Sequence, residues 1–161
     1  MSNREQLTQE FGQWIEEVKK LETRGEKFWD QPLGEGKWTV REMVSHMVEW
    51  DRYSYENGVQ KVLLGEETTF KRQDDDLFNA KAAERGKERS AAELTADAIE
   101  IRQQLIEAYW KLSDEDFAKT YTQANGEKFQ ATEQISGFTW HDRHHMAQVN
   151  ALEKATSADN R

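Results

Sequence analysis

Residues 140–148 read WHDRHHMAQ, and three of the four histidines of the chain lie in this stretch. His141 and His145 are four residues apart, so on a helix they project from one face about one turn apart. His46, the fourth histidine, lies in another stretch with helical periodicity. If the two helices pack together, three imidazoles converge, which is how proteins hold a divalent metal with coordination positions left open. The sequence therefore predicts a three-histidine metal site inside a helical bundle.

The apolar residues of the last helix define the direction that faces the core. They are Ile135, Phe138, Val149 and Leu152. At about 100° per residue, His145 lies about 30° from this direction, His141 about 70° and His144 about 130°. We therefore predict that His144 faces solvent and that the metal ligands are His46, His141 and His145.

A metal site is not the only explanation of this spacing. Two histidines four residues apart can also belong to an ordinary core, and the zinc-protease helix motif has a glutamate where this chain has Asp142. Burying three imidazoles without partners would, however, cost free energy. Metal ligation satisfies one nitrogen of each ring and leaves the other for a neighbouring group, which favours the metal site.

Four more side chains lie near these histidines on the predicted helices. They are Gln148, Glu49, Asp142 and Tyr53. Gln148 follows His145 by three residues, and Glu49 follows His46 by the same spacing, so each can lie close to its histidine. Asp142 leans inward and could accept a histidine N–H, while Tyr53 lies two turns beyond His46. We predict that these four residues orient a substrate or transfer protons.

Helical spacing of apolar residues extends over most of the chain, and one proline and nine glycines leave few breaks. Three pairs have the spacing of a capping box at a helix start, namely Ser2–Glu5, Thr39–Glu42 and Ser90–Glu93. The main predicted helices cover about 3–24, 40–64, 91–112 and 132–155. The predicted fold is therefore all-α, an antiparallel four-helix bundle with a longer connection between helices two and three.

The segments between these helices contain shorter signals. A short helix is predicted at about 75–85, and one helical turn ends near Phe117. Residues 119–130 alternate around Asn125 and Gly126, which predicts either two short strands or a loop. The acidic run at 74–76 could bind a metal, but acids at a helix N-terminus also stabilise its dipole, and that interpretation is favoured.

Composition restricts the classes of protein. The 161 residues are 36% hydrophobic and 33% charged, which is typical of one globular domain, here 1–155 with a disordered tail at 156–161. The net charge of -9 argues against nucleic-acid binding. No apolar run approaches the roughly 20 residues that span a bilayer, and the first residues lack a secretory signal, so we expect a cytoplasmic protein without membrane contact. There is no cysteine, so any thiol chemistry needs a thiol from outside the chain.

The stretch WTVREMVSHMVEWD at 38–51, together with HDRHHMAQ at 141–148, resembles the DinB-like superfamily, which includes YfiT-like metalloenzymes and bacillithiol- and mycothiol-dependent transferases. The segment LFNAKAAERG at 77–86 resembles a connection found in many members, and the resemblance continues to about Leu152. It implies a four-helix bundle, often dimeric, that carries a divalent ion on three histidines. Those positions match His46, His141 and His145. The ion implied is commonly nickel or zinc, with iron, manganese and cobalt as alternatives.

Three functions are compatible with such a site. The resemblance implies first a metal-dependent transferase that uses a low-molecular-weight thiol as co-substrate on an electrophilic small molecule. The second is a metal-dependent hydrolase, which would need a general base such as Glu49 or Asp142. The third is a non-catalytic, stress-related binding protein in which the metal braces the bundle. The resemblance also implies a homodimer.

Overall fold

The computed structural model describes residues 2–71 and 75–159. These residues form a four-helix bundle with a helical connection and one small hairpin, so the predicted fold class is confirmed. The elements in chain order are α1 (Asn3–Thr23), α2 (Glu26–Trp29), α3 (Val40–Ser54), a π-helical turn (Tyr55–Val59), α4 (Gln60–Leu63), α5 (Asp75–Gly86), α6 (Ala91–Lys111), α7 (Asp114–Ala118), β1 (Thr120–Thr122), β2 (Lys128–Gln130) and α8 (Ala131–Asp159).

Capping boxes start three of the long helices, as predicted. The hydroxyls of Ser2, Thr39 and Ser90 accept hydrogen bonds from backbone N–H groups three residues later, at 3.0 to 3.1 Å. In each case the glutamate at that position accepts from the N–H of the capping residue. Each box satisfies two backbone donors that the first helical turn leaves free.

The second long helix is continuous to Leu63 but contains a π-helical turn that periodicity did not predict. Gly58 lies in this turn, against the ring of Phe129 from β2. A β-carbon at Gly58 would lie 2.6 Å from a ring carbon of Phe129, so only glycine allows this approach. Gly65 follows the helix with a φ of 71°, which is consistent with the predicted stop there.

The connection between α3 and α6 packs directly on the bundle through α5. The Ser45 hydroxyl of α3 donates to the Ala82 carbonyl at 2.6 Å. Gly86, at the end of α5, lies against Ser45 so closely that a β-carbon there would be 2.5 Å from Ser45 Cβ. The prediction of a capping role for the acidic run at 74–76 falls largely outside the described residues, because Asp74 and the Asp75 side chain are not included.

Two further segments, residues 119–130 and the last helix, can be compared with their predictions. Of the two alternatives for residues 119–130, the structure has the strands: β1 pairs with β2 in antiparallel register, and Gly126 turns the chain with a φ of 85°. The last helix continues to Asp159, four residues beyond its predicted end, and residues 160–161 lie outside the described part. None of the described helices combines the length and apolar character needed to cross a membrane.

The core lies between the long helices in two adjoining clusters. The larger one contains Trp14 and Trp29 together with the apolar faces of α1, α3 and α6. The smaller one surrounds Phe11 and Tyr109 near the π-helical turn. Both clusters lie on the inner face of the long helices, so the inward side chains of α3 and α8 are held by dense packing.

Candidate metal centre

The three predicted metal ligands meet between α3 and α8. His46 comes from α3, and His141 and His145 come from α8. The Nε2 atom of His141 lies 3.3 Å from His46 Nε2 and 3.1 Å from His145 Nε2. One ring nitrogen from each histidine can be chosen so that all three lie within 4.8 Å of one another. Residues almost a hundred positions apart are thus brought into one cluster.

The geometry of these nitrogens fits a divalent cation. Histidine nitrogens coordinate zinc at about 2.0–2.1 Å, so neighbouring ligands lie about 2.8–3.0 Å apart in an octahedral site and about 3.3–3.4 Å apart in a tetrahedral one. The two measured separations lie within the span of these values. A ring nitrogen carries either one hydrogen or one lone pair, so His141 Nε2 cannot make a regular hydrogen bond to both neighbours. A shared cation satisfies all three nitrogens.

Burial keeps these imidazoles neutral, as metal ligands must be. Burial, followed by the nearby His141 and His145, lowers the pKa of His46 to about 3. Burial, followed by His145 and His144, lowers the pKa of His141 to about 4. Burial also lowers the pKa of His145, although its contact with Gln148 acts in the opposite direction. At neutral pH each ring therefore has a lone pair available for a cation.

Neighbouring side chains hold two of the rings. His145 Nδ1 lies 3.0 Å from Gln148 Oε1, so the structure places Gln148 beside a candidate ligand, as predicted. When Nδ1–H donates to this amide oxygen, the lone pair is on Nε2 and points into the cluster. The indole ring of Trp38 lies against His46, with ring centroids 4.9 Å apart. The other candidate site residues have different partners.

Glu49 and Asp142 do not make the predicted contacts with histidines. Glu49 accepts hydrogen bonds from Arg52 at 3.0 Å and from Arg85 at 2.8 Å, because α5 brings Arg85 over the end of its side chain. Both oxygens of Asp142 accept from Arg102, at 2.7 and 3.1 Å. Each carboxylate is therefore paired with an arginine from another helix, Glu49 with Arg85 of α5 and Asp142 with Arg102 of α6.

Tyr53 belongs to an aromatic cluster rather than to the immediate surroundings of the histidines. Its hydroxyl accepts from the Lys71 backbone N–H at 3.1 Å. Its ring contacts Trp50, Phe70 and Phe78, with centroid distances of 5.4 to 5.9 Å. This cluster joins α3 to the connection that follows it.

His144 lies on the solvent side of α8, as the helical wheel predicted, although its ring centroid is 5.4 Å from that of His145. Its side chain is exposed and stacks on Trp140, with ring centroids 5.5 Å apart and an interplanar angle of 8°. Trp140 is itself 68% exposed. The third histidine of residues 140–148 therefore lies outside the candidate metal centre.

A cavity of about 620 Å³ opens beside His46 and His141. Its aromatic lining residues are Trp50, Phe70, Phe138 and Trp140. Its polar lining includes Asn79, Lys128, Gln130, Glu133 and Gln134. The Trp50 indole N–H donates to Asn79 Oδ1 at 2.8 Å, which fixes the orientation of that ring. The cluster thus has an open side with room for a small molecule.

Arg102 is the residue near the site that sequence reasoning missed. Its side chain is fully buried and binds Asp51 of α3 and Asp142 of α8. The available signal was its position next to Ile101 on a helix whose apolar face is otherwise regular. A charged residue at such a position needs buried partners of opposite charge. Asp51 ends the stretch at 38–51, and Asp142 lies in the stretch at 141–148.

The chain is similar in sequence to proteins of Bacillus species. A protein of Bacillus cereus (strain AH820) that carries the name "putative metal-dependent hydrolase" is 25% identical over 150 residues, covering 88% of this chain and 84% of the relative. A protein of Bacillus anthracis (strain CDC 684 / NRRL 3495) with the same name shows the same identity and coverage.

Solved structures share the fold, among them those of two different proteins. One is YfiT from Bacillus subtilis, described as "a probable metal-dependent hydrolase with an unusual four-helix bundle topology", with a TM-score of 0.80, 20% identity and coverage of 98% of this chain and 90% of that one. The other is a mycothiol-dependent maleylpyruvate isomerase, with a TM-score of 0.65 and 16% identity over 90% of this chain and 57% of that one.

The sequence model of the DinB superfamily matches residues 4–149. This range includes nearly all of α1, all of α3 and α6, the hairpin, α8 as far as Val149 and all three clustered histidines. The chain therefore belongs to the DinB superfamily.

Proposed function

We propose that this protein is a divalent-metal-dependent transferase that joins a low-molecular-weight thiol to an electrophilic small molecule. His46, His141 and His145 would hold the ion, and nickel or zinc are the ions we expect. The observation that carries the proposal is the convergence of three neutral histidine nitrogens beside an open cavity. A site with three protein ligands and an open side is typical of catalytic rather than structural metal centres.

When bound, a divalent cation lowers the pKa of a coordinated thiol or water and so supplies a nucleophile at neutral pH. In the proposed transfer, the thiol loses its proton to solvent and its sulfur forms a bond to the electrophilic carbon. In a displacement, the leaving group departs with the electron pair of the broken bond. The chain has no cysteine, so the sulfur comes from the co-substrate.

The residues of the chain would orient the reactants. The Oε1 atom of Gln148 binds Nδ1 of His145, and this contact directs Nε2 of His145 into the cluster. Trp50, whose ring is fixed by Asn79, offers a flat surface beside the ligands. With the other aromatic side chains of the lining, this surface suits a substrate with an aromatic or apolar part.

Hydrolysis is the second candidate, because the Bacillus relatives carry the name of metal-dependent hydrolases. It would use the same three histidines and need a carboxylate as general base. Arg102 occupies Asp51 and Asp142, and Arg52 and Arg85 occupy Glu49. Glu127 and Glu133 are the other carboxylates of the cavity lining, and we would test Glu133 first as the base, because it lies on the same helix as His141 and His145.

The first experiment measures metal in protein purified without a histidine tag. We expect about one divalent ion per chain, and its absence after reconstitution with nickel or zinc would contradict the proposal. Metal-loaded protein is then incubated with 1-chloro-2,4-dinitrobenzene and a panel of low-molecular-weight thiols. Metal- and thiol-dependent release of chloride supports the transferase.

The same preparation distinguishes the other functions. Turnover of aryl esters without thiol, lost in Glu133→Gln, would favour the hydrolase and contradict the transferase. A folded, metal-loaded protein with neither activity would favour a non-catalytic binding role. The His144→Ala variant is the matched control, since it removes an exposed histidine from the same helix.

The remaining expectations are also proposals. We propose that the chain is a homodimer, as in many members of the superfamily, and that it acts in the cytoplasm, where low-molecular-weight thiols are kept reduced. Light scattering coupled to size-exclusion chromatography measures the mass in solution. Fractionation of cells that produce the protein tests its location.

A further inference from the structure

Arg102 lies at the centre of the bundle and connects its four long helices. From α6 it donates to both oxygens of Asp51 on α3, at 2.8 and 3.1 Å, and to both oxygens of Asp142 on α8, at 2.7 and 3.1 Å. It also donates to the Phe11 carbonyl of α1 at 2.8 Å. A guanidinium has five N–H donors, and Arg102 makes five hydrogen bonds.

Both acids that bind Arg102 belong to the helices that carry the candidate metal ligands. Asp142 directly follows His141, and Asp51 lies five residues after His46. Arg102 is 0%, Asp51 1% and Asp142 7% exposed. Because each carboxylate is held by two bonds to a planar group, neither α3 nor α8 can rotate or slide without breaking them.

Stability alone is a weak explanation of this arrangement. Removing three charged groups from water costs free energy that their mutual attraction often only balances, and well-packed apolar residues can replace such groups with little loss. A metal centre has a stricter requirement, since its ligands must be held within about 0.5 Å of the productive geometry. A rigid, bidentate connection between the two ligand-bearing helices meets that requirement.

Charge contributes as well. The three histidines are neutral, so they do not compensate the two positive charges of a divalent ion. Two carboxylates and one guanidinium carry one formal negative charge in total, and Asp142 is the next residue after His141. In a buried site with a low effective dielectric, such a charge favours a cation several ångströms away.

We propose that Arg102 is a positioning residue for the metal centre: by holding Asp51 and Asp142 it sets α3 against α8, so that His46 meets His141 and His145. This inference rests on the proposed metal site. It goes beyond the proposed reaction, because it concerns the selectivity and strength with which the folded chain holds the ion.

The test compares cobalt(II) binding in variants by titration and by visible absorption, which reports the coordination geometry. The triple variant Asp51→Leu, Arg102→Met, Asp142→Leu removes the three charged groups of this network, and Asp142→Asn keeps the size of the side chain and one acceptor. We expect cobalt affinity to fall about 10- to 100-fold in both, with an altered spectrum, while circular dichroism stays helical. If the triple variant does not fold, Asp142→Asn and Arg102→Lys carry the test.

Arg41 provides the matched control. It is also buried and pairs with two carboxylates, Glu26 and Asp30, neither of which lies on α8. Arg41→Met should lower stability and leave the cobalt affinity and spectrum within about twofold of the unchanged chain. A folded Arg102 variant with unchanged affinity and spectrum would overturn the inference. If the unchanged chain binds no cobalt, nickel or zinc, the proposed function itself has failed.

Discussion

Single residues in the cluster differ in how they are held, and this determines how much each contributes to a metal site. His145 has an amide partner on Nδ1 and is buried. The ring of His46 packs against Trp38, and the Nε2 of His141 lies within 3.3 Å of the Nε2 atoms of both other rings. His144 shares the same stretch of sequence but stacks on Trp140 outside the cluster.

Replacement of a ligand should abolish tight metal binding. We expect His46→Ala and His145→Ala to weaken affinity by more than about 100-fold, because loss of a ligand should cost more than loss of its supporting partner. Elemental analysis after dialysis against a weak chelator measures the retained metal. His144→Ala should retain it fully, and equal loss in all three variants would contradict the assignment.

The contact between Gln148 and His145 should affect metal affinity through the tautomer and orientation of the His145 ring. Gln148→Leu removes the acceptor of the Nδ1 proton, so the ring is free to change its tautomer or rotate. We expect metal affinity to fall about 10-fold in Gln148→Leu and to recover in Gln148→Glu, which restores an acceptor. Competition with a fluorescent chelator gives both affinities. An equal loss in the two variants would argue for a packing effect instead.

At the level of elements, the connection between α3 and α6 is part of the bundle and not a loose loop. Helix α5 packs against α3 through Gly86 and Ser45, and its Arg85 binds Glu49 three residues after His46. The position of α5 therefore affects the helix that carries His46. The close approach depends on the absence of a side chain at Gly86.

Gly86→Ala should lower the free energy of unfolding by about 1–3 kcal/mol, because the new methyl group would overlap Ser45. Urea unfolding followed by circular dichroism measures the change. Gly12→Ala is the matched control: its new methyl group would meet Ile106 at an ordinary 3.5 Å, so helix propensity should raise stability by up to about 1 kcal/mol. A neutral Gly86→Ala would mean that α5 is not tightly packed on α3.

At the scale of the whole molecule, the buried histidines connect stability to pH. The folded chain lowers the pKa of His46 to about 3 and that of His141 to about 4, whereas an unfolded histidine titrates near 6.5. Below about pH 6.5 the unfolded chain therefore binds protons that the folded chain does not. Stability from these groups is complete above that pH and is lost as the pH falls towards 4.

We therefore expect the metal-free protein to lose stability on acidification from pH 7 to pH 4.5. Each proton bound only by the unfolded chain contributes a slope of about 1.4 kcal/mol per pH unit. The raised pKa of Asp51, about 6, acts in the opposite direction, so the histidine contribution is isolated by difference. His46→Gln should show a shallower slope than the unchanged chain in urea unfolding with chelator present. Parallel slopes would contradict the prediction.

Local sequence was sufficient for the helices, for their capped starts and for the choice between His144 and its two neighbours. These features depend on residues within three or four positions of one another, such as Ser90 with Glu93, or on helical periodicity. The π-helical turn escaped prediction, since it is associated with Phe129, far along the chain, packing against Gly58. His46 was assigned to the same site on the expectation that its helix packs against the last one, and the resemblance to the superfamily gave the same three positions.

The partners of charged side chains needed the packed structure. Asp142 and Glu49 lie beside the candidate ligands in sequence, yet they bind Arg102 and Arg85, which come from α6 and α5. Helical periodicity gives the face on which a side chain lies, but not the rotation and distance of the neighbouring helix. Those are determined by core packing between distant segments, and they decide whether a carboxylate meets an imidazole or a guanidinium.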